Sequence, residues 1–391
     1  MRLIPEIADR ADDLTRWRRD LHRHPELGFE EVRTAAFVAD RLRQAGFAVT
    51  EGIGRTGVVG SLSTGNGPAI GLRADMDALP MEEGVDRPWK SATPGVFHGC
   101  GHDGHTVSLL AAAEHLAQSR SFSGTVHVIF QPAEEGLGGG KAMVEEGLFD
   151  SFPCDAVFGF HNMPLLPFGQ ASVRAGAAMA SFDEFMVTMT GRGGHAAMPH
   201  KTVDTAFALA ETAVSLQGII SREIDPHTAA VLSVTQIHVG TTHNVVAEQG
   251  WLGGTVRALD EAARQTTEAA FHRVVRGIAA TRGVDVEIDY DRRYPVLVND
   301  ADLAARAEEA IVEVIGSENV ARDFPPLLAA EDFAFMTHAI PGAYMLLGQG
   351  RGPESPMVHD PAYDFDDALL PVAASCLVRL VEGYLPASAG D

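Results

Sequence analysis

The sequence predicts an α/β protein in two parts: a domain with a mainly parallel sheet, and an α+β domain inserted into it. Three observations predict this. The chain has 391 residues, more than one hydrophobic core usually serves. Its first half repeats the order strand, loop, helix, which is typical of parallel sheets. Residues 181–292 break that order with the pattern strand, helix, two strands, helix, strand.

Composition and charge exclude several classes of protein. Apolar residues make up 46% and charged residues 21%, the balance of a globular enzyme-sized protein rather than a disordered one. The 53 acidic and 30 basic side chains give a net charge of −23. Phosphate-rich partners repel so acidic a chain, so we expect neither nucleic acid nor a membrane surface as a partner. No apolar run approaches the roughly 20 residues that a membrane helix needs.

The cysteines and the N-terminal residues predict a cytoplasmic location. Cys100, Cys154 and Cys376 are odd in number and far apart, so they form no disulfide framework and favour a reducing compartment. Charged residues follow Met1 too closely for the apolar core of a signal peptide.

The first domain begins with two predicted amphipathic helices. Apolar residues recur at near-helical spacing over 6–23 and again over 34–46, and Gly46 ends the second helix. Strands are predicted at 58–62 and 69–72. Asp75 and Asp77 follow the second strand at alternate positions, so their side chains point to the same side, where sites form in α/β sheets.

The densest group of chemically active residues is His98-Gly99-Cys100-Gly101-His102-Asp103-Gly104-His105, directly before a predicted buried helix over 106–116. Thiolate, imidazole and carboxylate together suit zinc, manganese or cobalt better than calcium or magnesium. The segment is therefore a predicted metal site on a loop at a helix N-terminus. The alternative is a glycine-rich turn in which the histidines are incidental.

Two further strands end in candidate ligands. The strand over 125–130 leads to Glu134-Glu135, and a short strand from Ala156 leads to His161. Adjacent carboxylates point in different directions, so one can face a metal while the other faces a water molecule. Asp75 and Asp77 follow the strand over 69–72 in the same way. Three successive strands thus lead to candidate ligands, which favours one shared site.

The inserted domain is predicted to be ferredoxin-like. Its strands lie at 181–190, 230–238, 250–258 and 284–290, and its helices at 203–221 and about 259–282. Residues 293–391 return to the first domain, with helices near 302–315 and 368–384.

At these residues the sequence resembles the amidohydrolase branch of the dinuclear metallo-aminoacylase and carboxypeptidase family. That branch includes hippurate hydrolase, N-acetyl-diaminopimelate deacetylase and the plant indole-acetyl-amino-acid hydrolases. The motifs H-G-C-G-H-D-G-H, Q-P-A-E-E-G, G-F-H-N-M-P and G-R-G-G-H-A-A-M-P-H occur in this order, and the resemblance extends from Asp20 to Pro361. It implies a metallopeptidase-like catalytic domain of residues 1–180 and 293–391, and a lid and dimerisation domain of residues 181–292.

The resemblance also implies a site. Two divalent metal ions per chain, zinc or manganese ahead of cobalt, would be held by Cys100, His102, Glu135, His161 and His359. Glu134 matches the general base. In the sequence itself, Asp77 and Asp103 are candidates for acids that orient histidines from behind the ligands.

The resemblance assigns substrate binding to the inserted domain. His195 matches a histidine that reaches the substrate carbonyl, in its own subunit or across a dimer. Asn244 and Arg257 match polar groups that hold the substrate's carboxylate. Related sequences more often have isoleucine-proline where this chain has Val246-Ala247, so the shape of that loop is expected to differ.

The leading functional hypothesis is a metal-dependent amidohydrolase that cleaves the amide bond of small N-acyl amino acids, with a metal-activated water and Glu134 as base. A metal-dependent dipeptidase or carboxypeptidase is the near alternative. A non-catalytic metal-binding scaffold, or a hydrolase with Cys100 as nucleophile, is less favoured. A homodimer or homotetramer through the inserted domain is expected.

Overall fold

The computed structural model describes residues 1–387, which form two compact units. Unit 1 comprises Met1–Gly176, Val298–Pro325 and the chain from Asp332 onward. Unit 2 comprises Ala177–Leu297 with the short segment Pro326–Glu331. The sequence pattern had placed the inserted domain at 181–292, and it gave no indication that Pro326–Glu331 would join that unit.

The helices of the described chain are, in order, α1 (Pro5–Ala8), α2 (Ala11–Arg23), α3 (Val32–Ala45), α4 (His102–Ser119), α5 (Gly139–Glu145), α6 (Leu148–Ser151), α7 (Thr205–Glu223), α8 (Glu261–Arg282), α9 (Ala301–Ile315), α10 (Phe333–Ala339) and α11 (Leu370–Tyr384). The strands are β1 (Ala48–Ile53), β2 (Gly57–Thr64), β3 (Ala69–Asp75), β4 (Gly124–Gln131), β5 (Ala156–Pro167), β6 (Ala171–Ser172), β7 (Gly176–Met179), β8 (Phe182–Thr190), β9 (Gly194–His195), β10 (Ala230–Val239), β11 (Val245–Val246), β12 (Gln249–Ala258), β13 (Asp285–Tyr294), β14 (Leu297–Asn299) and β15 (Gly342–Gly350).

Unit 1 is built on a seven-stranded sheet in the order β1-β2-β4-β3-β5-β15-β6. Its four central strands, β4, β3, β5 and β15, run parallel. The outer strands pair antiparallel, β1 with β2, β2 with β4, and β6 with β15. The predicted fold class is confirmed. Because parallel strands end at the same edge, residues that follow β3, β4 and β5 are brought together there.

Helix α4 is the centre of unit 1. It packs against α2, α3 and α11, and its apolar side chains are buried on every face. It begins at His102 rather than after His105, because Gly101 adopts a left-handed conformation (φ 97°) that turns the chain into the helix. His102, Asp103 and His105 therefore lie on a rigid helix and not on a loop, which corrects the sequence prediction.

The structure also differs from the sequence prediction elsewhere in unit 1, where the central strand β15 and the helices α5 and α10 were not predicted. The helix expected over 6–23 is divided at Asp9–Arg10 into α1 and α2, and strand β1 was not foreseen. Strand β5 continues to Pro167, so His161 lies within a strand instead of at its end. Parallel pairing with β15 on one side explains the greater length, since it satisfies the backbone of β5 well beyond His161.

Unit 2 is a four-stranded antiparallel sheet in the order β10-β12-β8-β13, with α7 and α8 packed on one face. Side chains of β8, β12, α7 and α8 form its separate core. The buried Arg264 of α8 donates through Nε to Asp183 of β8 (3.0 Å to Oδ1), and the Tyr290 hydroxyl donates to the other carboxylate oxygen (2.9 Å). The order β8, α7, β10, β12, α8, β13 along the chain is the ferredoxin-like order that the sequence predicted.

Within residues 1–387, no helix combines the length and the apolar character that crossing a membrane requires.

Candidate metal centre

Cys100 and His102 are placed by the turn into α4, and His161 meets them from β5. The Cys100 Sγ lies 3.3 Å from Nε2 of His161. The other ring nitrogen of His161, Nδ1, lies 2.6 Å from its neighbour's carbonyl oxygen, on Asn162, and donates to it. That bond fixes the tautomer, so Nε2 carries a lone pair toward Cys100. All three side chains are buried.

Glu135 and His359 form the other half of the centre. Nε2 of His359 lies 3.2 Å from Oε1 of Glu135, although the two residues are far apart in sequence. The backbone N–H of His359 donates to the carbonyl of Gly99 (2.8 Å). His359 has a positive φ of 67°, a strained conformation that persists because the surrounding contacts hold it. The segment around His359 is thus attached directly to the cysteine loop.

Ligand atoms of these residues fall into two overlapping groups. Cys100, His102 and His161 form one, and Cys100, Glu135 and His359 form the other; within each group the atoms lie within 4.8 Å of one another. The two groups share Cys100. This is the arrangement expected of two neighbouring cations that share one thiolate, and the mixture of sulfur, imidazole and carboxylate suits zinc, manganese or cobalt.

One ring nitrogen of His102 is buried and makes no hydrogen bond within the described part of the chain. Its Nδ1 lies 3.1 Å from the Asp77 carboxylate, whereas its buried Nε2 makes no hydrogen bond with any described residue. A buried nitrogen without a partner is costly in a folded protein. A bound cation would satisfy it, so the residues present fit a metal ion.

The electrostatics favour a cation as well. Burial alone would lower the pKa of His102, but the carboxylates of Asp75, Asp77 and Glu135 outweigh it and raise the pKa to about 10. Burial, together with Glu135, Glu134 and Asp75, holds the pKa of the Cys100 thiol well above its ordinary range. The electrostatic potential at the centre is therefore strongly negative, and a cation is needed before Cys100 becomes a thiolate.

Glu134 lies beside Glu135, with a carboxylate oxygen of each within 4.8 Å of the other. Ala133 has a positive φ of 51° and turns the chain at the end of β4, and its N–H donates to Glu31 (2.8 Å). Glu134 is buried, and its Oε1 accepts a hydrogen bond from the backbone N–H of Asp332 (3.3 Å). The carboxylate is thus held beside the ligand groups, within 4.8 Å of His102 and Glu135 atoms.

The two acids predicted to orient histidines have different partners. Asp77 contacts the predicted ligand His102 and accepts the backbone N–H of Glu135 (2.9 Å). Asp103 contacts His22 instead, at 2.9 Å from Nδ1. His22 is not among the residues predicted for the site, and nothing in its local sequence pattern indicates that α2 reaches it.

Further buried residues near the centre were given no role by the sequence prediction. His105 lies between Asp75 (2.5 Å) and Asn162 (2.6 Å), and the Asn162 amide donates to the Tyr363 hydroxyl (2.7 Å). Arg73, fully buried, donates to Asp75 at 2.8 Å. The sequence places His105 in the predicted metal-site segment and Asp75 beside Asp77, whereas Asn162, Arg73 and Tyr363 carry no recognisable signal.

The predicted substrate-binding residues lie in unit 2. His195 on β9 pairs with Val245 on β11, and Ala196 N–H donates to the Asn244 carbonyl (3.0 Å), so the histidine and the asparagine lie on neighbouring segments. Both side chains are exposed. Arg257, on β12, is half-buried with its guanidinium 3.9 Å above the Phe182 ring. These three roles remain predictions.

Comparison with known proteins identifies the family. Residues 71–383 match peptidase family M20/M25/M40. The chain belongs to this family. It is 42% identical over 386 residues to hippurate hydrolase of Campylobacter jejuni subsp. jejuni serotype O:2. The aligned region covers 98% of this chain and 100% of that protein. It is 38% identical to IAA-amino acid hydrolase ILR1-like 5 of Arabidopsis thaliana, over 94% of this chain and 86% of that one.

A solved structure of the family has the same fold. The Bacillus subtilis YXEP protein, a dinuclear metal binding peptidase from the M20 family, superposes with a TM-score of 0.83 at 33% identity. The match covers 96% of this chain and 98% of that one. The predicted resemblance to the amidohydrolase branch is confirmed. The candidate ligand groups of this chain lie in a fold whose Bacillus subtilis member is a dinuclear metal binding peptidase.

Proposed function

We propose that this M20 family member is a metal-dependent amidohydrolase that cleaves the amide bond of N-acyl amino acids. One observation carries the proposal: two ligand groups share Cys100, and the buried carboxylate of Glu134 lies beside them. Two metal-ligand groups with a shared residue, beside a buried carboxylate, are an arrangement suited to hydrolysis. The naming of the relatives as hippurate hydrolase and IAA-amino acid hydrolase supports the substrate class.

Each group would have a definite task. Two cations held by Cys100, His102, Glu135, His161 and His359 would lower the pKa of a water molecule and polarise the substrate carbonyl. Glu134 accepts the proton of the attacking water and delivers it to the leaving amine nitrogen. The backbone N–H of Asp332 donates to Oε1 of Glu134 and helps to hold the carboxylate in place for this transfer.

We assign recognition of the substrate to residues of unit 2. His195 donates a hydrogen bond to the carbonyl oxygen as negative charge develops there. Asn244 and Arg257 bind the substrate's carboxylate. In a chain with a net charge of −23, a fixed cation such as Arg257 is required to attract an anionic substrate.

Unit 2 is also the proposed contact in a homodimer or homotetramer. Strand β10 is an edge of its sheet, and residues 235–238 of that strand are exposed. An open strand edge of this kind pairs readily with a second copy. The native metal is proposed to be zinc or manganese, ahead of cobalt, and elemental analysis of purified protein would identify it.

The near alternative is a peptidase of the same chemistry. The peptidase description of the Bacillus subtilis relative favours it, because a dipeptide differs from an N-acyl amino acid only on the acyl side of the bond. A cysteine nucleophile is disfavoured, since burial and three carboxylates raise the pKa of Cys100 and keep it protonated unless a cation is bound.

The test is amine release by metal-loaded protein from acetyl, benzoyl, indole-acetyl and long-chain acyl amino acids and from dipeptides, with and without a chelator. We expect chelator-sensitive turnover of acyl amino acids, and Glu134→Gln is expected to lose about 10²–10⁴-fold in rate. The control is Glu145→Gln, an exposed glutamate on α5 that faces Lys141 at 3.8 Å; its rate should equal that of the unaltered protein.

The outcomes separate the hypotheses. Faster turnover of dipeptides than of every acyl amino acid would favour the peptidase. A folded, metal-loaded Glu134→Gln protein with full activity would refute the role of the base. Metal binding without turnover of any substrate would leave a non-catalytic scaffold.

A further inference from the structure

We propose that Arg18 and His22, both on α2, are positioning residues for the metal centre. They hold Asp103, and through it the first turn of α4, which presents His102. Arg18 also joins that turn to the segment that carries His359. The inference rests on the proposed metal centre, and it adds residues that contact none of the five ligands.

Asp103 is held from three directions. Its Oδ1 accepts the backbone N–H of Gly104 at 2.9 Å, which anchors the carboxylate to its own helix turn. Its Oδ2 lies 2.9 Å from Nδ1 of His22 and 3.6 Å from Nη1 of Arg18. All of these side chains are fully buried. A buried carboxylate with such partners has one position, so the turn that begins with His102 has one position too.

Arg18 reaches a second ligand-bearing segment. Its Nη1 donates to Asp364 at 2.7 Å, and its Nε donates to Asp367 at 2.6 Å. Both aspartates follow His359 closely in sequence. One guanidinium therefore connects the start of α4 with the segment after His359, as a planar fork with several fixed donors can.

His22 completes the arrangement on its other side. Its Nε2 lies 3.4 Å from Oε1 of Glu83. Carboxylates face both ring nitrogens, so the ring fits best as an imidazolium that donates twice. Burial alone would lower the pKa of His22, but the bonds to Asp103 and Glu83 raise it to about 9. The ring is therefore a fixed bridge between two acids.

The physical consequence concerns the cost of assembling the ligands. Without His22 or Arg18, Asp103 would lose a partner inside the protein, and the helix start would move to let the carboxylate reach another donor. His102 and Cys100 would then need to be reorganised when metal binds. Loss of supporting partners of this kind typically weakens metal affinity about 10–100-fold.

The far end of α4 supplies a matched control. Glu114 on the same helix is paired with Arg41 at 2.6 Å, in a part-buried contact. It lies about 16 Å along the helix axis from Asp103, at 1.5 Å per residue. Arg41→Gln removes an arginine–carboxylate pair from α4 without touching the turn that bears His102.

The experiment measures Zn²⁺ affinity by competition with a chromophoric chelator, and the visible spectrum of the Co²⁺-loaded protein. His22→Gln and Arg18→Lys are expected to bind Zn²⁺ at least tenfold more weakly and to shift the Co²⁺ bands. His22→Asn, whose amide nitrogen can replace Nδ1, should recover most of the affinity. Arg41→Gln should bind as the unaltered protein does, even where its thermal midpoint is lower.

The results distinguish this inference from the proposed function. If the unaltered protein binds no metal, the proposed function fails. If the unaltered protein binds metal and folded His22→Gln binds it equally well, the positioning role is refuted. Equal loss of affinity in Arg41→Gln would also refute it, because the effect would then be general instability. Should Arg18→Lys not fold, His22→Gln and His22→Asn decide the matter.

Discussion

Gly104 lies in the first turn of α4, two residues after His102, and faces the ring of Phe365. A Cβ at this position would lie 2.5 Å from Cγ of Phe365 and closer still to Cδ2 and Cε2. The ring is buried and lies edge-on to His105, with centroids 6.3 Å apart. Gly104→Ala therefore forces the start of α4 and Phe365 apart.

The expected magnitude follows from two opposed effects. In an ordinary helix, alanine is more stable than glycine by about 1 kcal/mol, because glycine loses more conformational freedom on folding. Overpacking a buried site costs about 1–3 kcal/mol. A contact this short belongs at the upper end of that range. We therefore expect Gly104→Ala to lower the free energy of unfolding of unit 1 by about 2 kcal/mol.

Urea unfolding of chelated protein, followed by the fluorescence of Trp17 and Trp89 in a Trp251→Phe background, measures unit 1. The control is Gly383→Ala in α11, where an added Cβ has no neighbour within 4 Å; it should gain up to about 1 kcal/mol. Phe365→Leu combined with Gly104→Ala should cost less than the sum of the two single changes. A Gly104→Ala protein as stable as the unaltered one would show that Phe365 does not restrain this turn.

Two further predictions concern buried charge. Asp183→Asn breaks the buried pair with Arg264 and should destabilise unit 2 by about 3 kcal/mol, because the guanidinium loses its buried charged partner and keeps only the partly exposed Glu261 at 3.3 Å. Urea unfolding followed by Trp251 fluorescence measures this. The control Glu223→Gln, at a surface pair, should cost under about 1 kcal/mol. If Asp183→Asn lowers the free energy of unfolding no more than Glu223→Gln does, the prediction is wrong. Burial lowers the pKa of His127 in the folded protein, so folding favours the neutral imidazole. The stability that results is fully present above the unfolded pKa of about 6.5 and is lost as the pH falls below that value. His127→Phe should therefore show a smaller fall in urea midpoint between pH 7.5 and 5.5 than the unaltered protein, and an unchanged fall would refute the assignment.

Local patterns in the sequence were sufficient for most elements of the fold. Periodicity placed α3, β4, α7, β12 and α11 within a few residues of their observed positions, because hydrophobic spacing and glycine stops are properties of neighbouring residues. Ligand chemistry was also readable, since Cys100 and His102 stand in one dense motif, Glu135 follows β4 and His161 lies on β5. His359 was assigned only through the family resemblance. Strand β1 was missed because it is short and half-polar, with pattern Ala-Val-Thr-Glu-Gly-Ile.

The start of α4 was misjudged for a local reason that only the three-dimensional structure reveals. Two glycines beside Cys100 predicted a loop through His105, but Gly101 alone makes the turn and the helix begins at once. The helix tolerates this polar start because Asp77, Asp75 and His22 satisfy His102, His105 and Asp103 from other elements.

The sequence by itself determined which residue types were available for a metal centre and which elements carry them. Tertiary structure alone decided their partners: that two ligand groups share Cys100, that His359 meets Glu135, and that α2 holds Asp103 through Arg18 and His22. The physical reason is range. Helix and strand patterns arise from contacts between near neighbours in the chain, whereas a buried charge is satisfied by whichever distant segment the packing of the whole unit brings within hydrogen-bonding distance.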